Sequence, residues 1–131
     1  GAVGIEALSR GAKEVVFVEN DPDCLKVLKG NLSLFTTPSF SLLLMDVQRA
    51  MEHLAKQGRR FDIIFLDPPY YRDLAKKTLQ TLSSCDILAP DGLIAVQHFK
   101  KDDLPHAAGD LALLKQAVYG DTRLSFYRKA I

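Results

Sequence analysis

The sequence predicts a doubly wound α/β domain whose mostly parallel, Rossmann-like sheet ends in an antiparallel hairpin. Three observations support this. Short apolar runs recur at residues 15–18 (VVFV), 42–45 (LLLM), 63–66 (IIFL) and 93–96 (LIAV), and runs that are apolar on both alternating faces fit strands covered on both sides. Helical periodicities separate these runs, as repeated right-handed βαβ units require. After residue 110 the pattern changes to two strand-like runs, 114–119 and 122–128, around Gly120-Asp121. That spacing suits a hairpin turn and leaves no room for a helix.

The elements follow in order. Gly1-Ala2-Val3-Gly4 opens a helical stretch before the first run. Asp21 offers an N-cap and Pro22 a first-turn proline, and Leu25, Leu28 and Leu32 then recur at helical spacing, with an end expected near residues 31–33. Beyond Asp46, Ala50, Met51, Leu54 and Ala55 make one stripe that Gly58 stops. Leu74, Thr78, Leu79 and Leu82 make another, closed before Pro90-Asp91-Gly92, which reads as a turn. Residues 102–110, with Pro105 and Gly109, read as a surface loop. No repeat or linker divides the chain, so residues 1–131 are expected to form a single domain.

A length of 131 residues allows one core, and 47% hydrophobic with 25% charged residues is an ordinary globular composition. A net charge of +1 leaves any polyanion site to a local patch. Cys24 and Cys85 support neither a disulfide framework nor a four-cysteine zinc site; they read as two buried apolar thiols in a reducing cytosol. No apolar run is long enough to span a bilayer and no signal pattern opens the chain, so a cytoplasmic location away from membranes is expected.

Ligands of open α/β sheets bind beyond the carboxyl ends of the strands, and the residues closing three of the runs are Glu19, Asp46 and Asp67. Their carboxylates are expected to meet in one crevice. Glu19 lies 18 residues after Gly1, close to the interval of about 20 at which dinucleotide-type folds place an acid on ribose hydroxyls. The glycines at 1 and 4 would let a ligand approach a helix N-terminus.

The sharpest motif is Asp67-Pro68-Pro69-Tyr70 after a buried strand. Consecutive prolines fix torsions and remove two N–H donors, leaving the carbonyls of Asp67 and Pro68 as rigid acceptors. An acid, fixed carbonyls and an aromatic ring are what a planar base bearing an amine needs: Asp67 and the Pro68 carbonyl accept from its NH2 group while Tyr70 stacks on the ring.

The tetrad resembles the (D/N)PP(Y/F) motif of amino methyltransferases that use S-adenosylmethionine. Together with the stretch from Gly1 to Ala12, Val18-Glu19-Asn20-Asp21, Asp46-Val47 and Tyr119-Gly120-Asp121-Thr122, it is similar to the bacterial 16S rRNA guanine-N2 methyltransferases of the RsmD family. The resemblance implies a seven-stranded sheet whose first strand runs into a glycine motif. This chain begins at what looks like the last of those glycines, so a longer protein with an upstream first strand is expected. It also implies that Gly1 passes the methionine end of S-adenosylmethionine, that Glu19 binds the ribose hydroxyls with Asn20 beside them, and that Asp46 accepts from the adenine amine while Val47 packs on the ring. Asp67 then lies where cofactor and substrate meet, with Pro68, Pro69 and Tyr70 on the catalytic side. The implied partner is 16S rRNA, free or in a partly assembled small subunit, with a monomeric enzyme and no metal. Because DNA adenine-N6 methyltransferases share the tetrad, that activity is one alternative, and a non-catalytic RNA- or protein-binding scaffold is another.

The remaining candidates are weaker. Lys56, Arg59 and Arg60, then Arg72, Lys76 and Lys77, then Lys100 and Lys101 form small basic clusters suited to RNA phosphates or to solvent. His53, His98 and His106 lack metal-ligand spacing with either cysteine and are assigned no chemistry. Tyr71 lines or covers the pocket, and Phe126 and Tyr127 are expected to pack.

Overall fold

A computed structural model describes residues 2–10, 12–33, 40–68 and 74–130. The chain forms two compact units, residues 1–50 and 51–131. In the first, α1 (Ala2–Ser9) leads to β1 (Val15–Glu19), α2 (Pro22–Leu32) and β2 (Phe40–Leu44). The parallel pair β1 and β2 runs in register from Val15 opposite Phe40 to Glu19 opposite Leu44. Its core is Phe17, Leu28 and Leu32, with Val15, Phe40 and Leu42 packed against them. A Cβ on Gly4 would clash with the edge of the Phe17 ring, so glycine there lets α1 lie close on β1. Asp21 caps α2 as its sequence position predicts: its carboxylate accepts from the Asp23 N–H at 2.9 Å, and Pro22 occupies the first turn.

The unit boundary falls inside α3 (Val47–Lys56), which Gly58 follows at φ 69°. The second unit holds β3 (Phe61–Leu66), α4 (Leu74–Ser84), β4 (Leu88–Phe99), β5 (Ala107–Ala108), β6 (Leu111–Tyr119) and β7 (Thr122–Lys129). They form a five-stranded sheet in the order β3-β4-β7-β6-β5. Of its pairs only β3 with β4 is parallel. α4 packs on β4 and β5, burying Ala75, Thr78, Leu79 and Leu82. The α/β class is therefore as predicted, and the antiparallel part reaches beyond one hairpin.

Several expectations are corrected. Pro90-Asp91-Gly92 lies within β4 rather than in a turn before it. The register with β3 jumps from Phe61 opposite Leu88 to Ile63 opposite Leu93, so the extra residues are absorbed as a bulge. Gly92 is required there, because a Cβ would strike the Leu88 side chain. The runs are not buried on both faces: Leu44 is 50% and Ile63 70% exposed. The 102–110 stretch is more than a surface loop. It contains β5, buries Leu104 and Ala108, and its Pro105 carbonyl accepts from the Tyr127 hydroxyl at 2.7 Å. Neither thiol is buried: Cys24 is exposed and Cys85 half-buried. The Cys24 thiol bonds to the Asp21 carboxylate, which raises its pKa and keeps it protonated.

Candidate active site

Glu19 and Asp46 stand at the carboxyl ends of two hydrogen-bonded parallel strands, the Met45 N–H donating to the Glu19 carbonyl at 3.0 Å. Parallel register brings these acids to neighbouring strand ends although 27 positions separate them in sequence (46 minus 19). Half-buried Glu19 accepts from the Asp21 N–H through Oε1 at 3.1 Å, so the cap of α2 also orients the acid. Asn20 beside it is exposed.

Asp46 is exposed and has a structural task that the sequence reading missed. Its Oδ2 accepts from the Gln48 and Arg49 N–H groups at 3.1 and 3.4 Å, which makes it the N-cap of α3. The signal was present: an Asp directly before an apolar helical stripe is a cap position. Half-buried Val47 is the first residue of that helix. Two acceptors at adjacent strand ends, one at a helix N-terminus, fit a ligand whose diol and amine donate.

In the second unit Asp67 follows buried Leu66 at the carboxyl end of β3. Its side chain is exposed and Pro68 is half-buried. Gly1, Pro69, Tyr70, Tyr71 and Arg72 lie outside the described residues. Among the described residues, no cluster of three His, Cys, Asp or Glu side chains could hold a metal ion, and no helix is long and apolar enough to cross a membrane.

Sequence reasoning also passed over His98. Strand alternation sets it on the same face as Ile94 and Val96, where it is 1% exposed. Its Nδ1 lies 3.1 Å from the Phe99 carbonyl and its Nε2 2.7 Å from the Ser125 hydroxyl, which also accepts from the Gln116 amide at 2.9 Å. A carbonyl only accepts, so Nδ1 carries the proton and Nε2 accepts from Ser125. The chain of bonds thus runs from Gln116 through Ser125 and His98 to the backbone, with the ring neutral. Burial chiefly lowers the His98 pKa below its ordinary value; the hydrogen bond to the Phe99 carbonyl opposes it, and Arg123 opposite on β7 (lowering) and Asp102 (raising) add lesser effects. Burial likewise pushes Tyr127 up to about 12.

A family described as Conserved hypothetical protein 95 matches residues 1–128. YlbH of Bacillus subtilis, provisionally named an rRNA methyltransferase, is 36% identical over 130 residues, covering 98% of this chain and 71% of its own. Ribosomal RNA small subunit methyltransferase D of Escherichia coli K12 is 30% identical over 129 residues, covering 98% of this chain but 64% of its own. Among solved structures, a Haemophilus influenzae protein provisionally named a methylase superposes with a TM-score of 0.86 at 30% identity. That match covers 100% of this chain and 81% of the other.

Proposed function

The chain belongs to the Conserved hypothetical protein 95 family, and from that we propose that it transfers a methyl group from S-adenosylmethionine to the exocyclic N2 amine of a guanine in 16S ribosomal RNA. The observation that carries this reading is the end of β3: an exposed carboxylate on Asp67, then Pro68 with no N–H to donate, then Pro69-Tyr70 in the sequence. The names of the relatives point to the same reaction class and RNA. In this reading both units belong to one methyltransferase domain spanning residues 1–131.

S-adenosylmethionine supplies an electrophilic methyl group on a sulfonium. The residues that would hold it are Glu19 for the ribose hydroxyls, with Asn20 at the same edge, and Asp46 for the adenine amine, with Val47 against the ring. Gly1, outside the described residues, is expected from the family resemblance to approach the methionine end. The fit rests on the acceptor pair: Glu19 and Asp46 can accept from the cofactor's hydroxyls and amine, and local N–H groups orient both.

The guanine N2 lone pair is delocalised into the ring and is a weak nucleophile. Hydrogen bonds from that amine to the Asp67 carboxylate and the Pro68 carbonyl favour a pyramidal nitrogen and stabilise the positive charge that develops as the N–C bond forms and the S–C bond breaks. The methylated nitrogen then loses a proton to Asp67 or to water. Asp67 acts by position and charge and need not be a strong base. A paired base cannot reach such a site, so the guanine must be unpaired or extruded, at a cost of a few kcal/mol that stacking on Tyr70 partly offsets. The acceptor is 16S rRNA, free or in a partly assembled small subunit. A monomer working in the cytoplasm, without metal or membrane, suffices for this chemistry.

The test is transfer of labelled methyl to 16S rRNA, with DNA as a parallel substrate and calorimetry of S-adenosylmethionine on the natural full-length protein. Asp67→Ala is expected to abolish transfer and leave cofactor binding intact. Retained transfer would remove Asp67 from the mechanism, methylation of DNA alone would move the activity to another substrate, and no binding heat at high cofactor concentration would point to a scaffold.

A further inference from the structure

The two faces of the five-stranded sheet are unequal. On one, Ile94, Val96, His98, Ser125 and Tyr127 are each no more than 1% exposed. By register, Ala95, Gln97 and Phe99 on β4 share the other face with Thr122, Leu124 and Phe126 on β7 and Tyr119, Ala117 and Lys115 on β6. All of these are half-buried or exposed.

The β6–β7 end of that open face has a definite chemistry. Tyr119 is 65% exposed at the hairpin tip, where Gly120 turns the chain at φ 59°. Lys115 sits opposite Phe126 with Nζ 5.2 Å from the ring centroid. Arg128, exposed, follows Phe126 by two residues and so lies on the same face. The positions of β6 and β7 that share the face are Ala112, Lys115, Ala117, Tyr119, Thr122, Leu124, Phe126 and Arg128, with no acid among them. The neighbouring Asp121 is paired with Lys100 at 3.4 Å.

We propose that this side of the β6–β7 hairpin docks the single-stranded RNA flanking the target base, with Tyr119 and Phe126 stacking on bases and Lys115 and Arg128 holding phosphates. The proposal deepens the rRNA methyltransferase reading and rests on it. Charge complementarity selects the occupant. Cations on a strand face whose described positions carry no acid, interleaved with aromatic rings on neighbouring strands, are what a polyanion with planar bases needs. A protein interface of this size would be depleted of lysine at its centre. Lys115 lies over Phe126 on a flexible stem and can swing from the ring to a phosphate as a base slides onto the aromatic face.

The experiment measures fluorescence anisotropy of a short, unstructured, fluorescein-labelled RNA on the full-length protein. Tyr119→Ala is expected to weaken binding about tenfold. The double change Lys115→Ala with Arg128→Ala should lower the slope of log affinity against log salt by about 1.4, at about 0.7 per phosphate contact on a single strand. Calorimetric affinity for S-adenosylmethionine and the thermal midpoint should stay as in the parent protein. Unchanged RNA affinity and slope in both variants, with the parent binding RNA and transferring methyl, would overturn the docking surface and leave the catalytic reading standing. Unchanged affinity for naked RNA with weakened binding to small-subunit particles would overturn it in favour of a protein partner. A parent that binds no RNA and methylates none would overturn both.

Discussion

The acids that end β1 and β2 differ from the one that ends β3 in how tightly their own backbone holds them. Glu19 and Asp46 each lend an oxygen to nearby N–H groups, at 3.1 Å to Asp21 and at 3.1 Å to Gln48. They are oriented before any ligand arrives, and part of their hydrogen-bonding capacity serves the ends of α2 and α3. Asp67 is exposed and accepts no hydrogen bond among the described residues, and the two prolines that follow it carry no N–H to bond back to it. Anchored acids suit tight, repeated binding of one cofactor, whereas an untethered acid beside a rigid carbonyl is available to a reacting amine. The contrast is between holding and reacting, and substitutions at the two places should separate those roles.

The largest effect is expected at Asp67. Asp67→Asn keeps the size but loses the charge, and methyl transfer to rRNA should fall at least about a hundredfold with cofactor affinity unchanged. A fall in cofactor affinity instead would place Asp67 with the anchored acids. Glu19→Ala should do the opposite, weakening S-adenosylmethionine binding by about ten- to a hundredfold in calorimetry while saturated turnover changes less.

The buried polar chain in the second unit gives a third prediction, this time on stability. Ser125→Ala strands the buried His98 Nε2, while the exposed Gln116 amide can turn to water, and should cost about 1–3 kcal/mol in urea unfolding. The pH dependence has a definite sign. His98 titrates lower when folded than its ordinary 6.5, so below that pH the unfolded chain binds the extra proton. Stability should therefore hold above 6.5 and decline as pH falls toward the folded value. His98→Asn should flatten that decline.

The smallest effect is at Asp46. Asp46→Ala removes the α3 cap and should cost about 1 kcal/mol. Asp46→Ser restores a cap while shortening the reach toward a ligand, so it should recover the thermal midpoint but not the cofactor affinity. Recovery of both would leave Asp46 with a structural role alone.

Much of this molecule could be read along the chain. The helix that starts at Asp21-Pro22, the alternation of strands and helices, and the hairpin at Gly120 depend on neighbours a few residues apart, and such local rules act before the chain folds. Asp67-Pro68-Pro69-Tyr70 was legible for the same reason, since prolines set torsions wherever they stand.

Other features needed distant residues to meet. Pro90-Asp91-Gly92 reads as a turn in isolation, yet β3 pairs on both sides of it and leaves a bulge within a long strand. His98 looked inert because its partners, Ser125 and Gln116, lie 27 and 18 positions away (125 minus 98, 116 minus 98) and come within reach only when β4, β7 and β6 align. The open face with Lys115 over Phe126 likewise exists only in that register. By itself the sequence determined which residues could cap, turn, stiffen or carry charge, because those properties belong to single side chains and their neighbours. Strand order, register and burial were decided only by the tertiary structure, because they depend on which distant segments exclude water together.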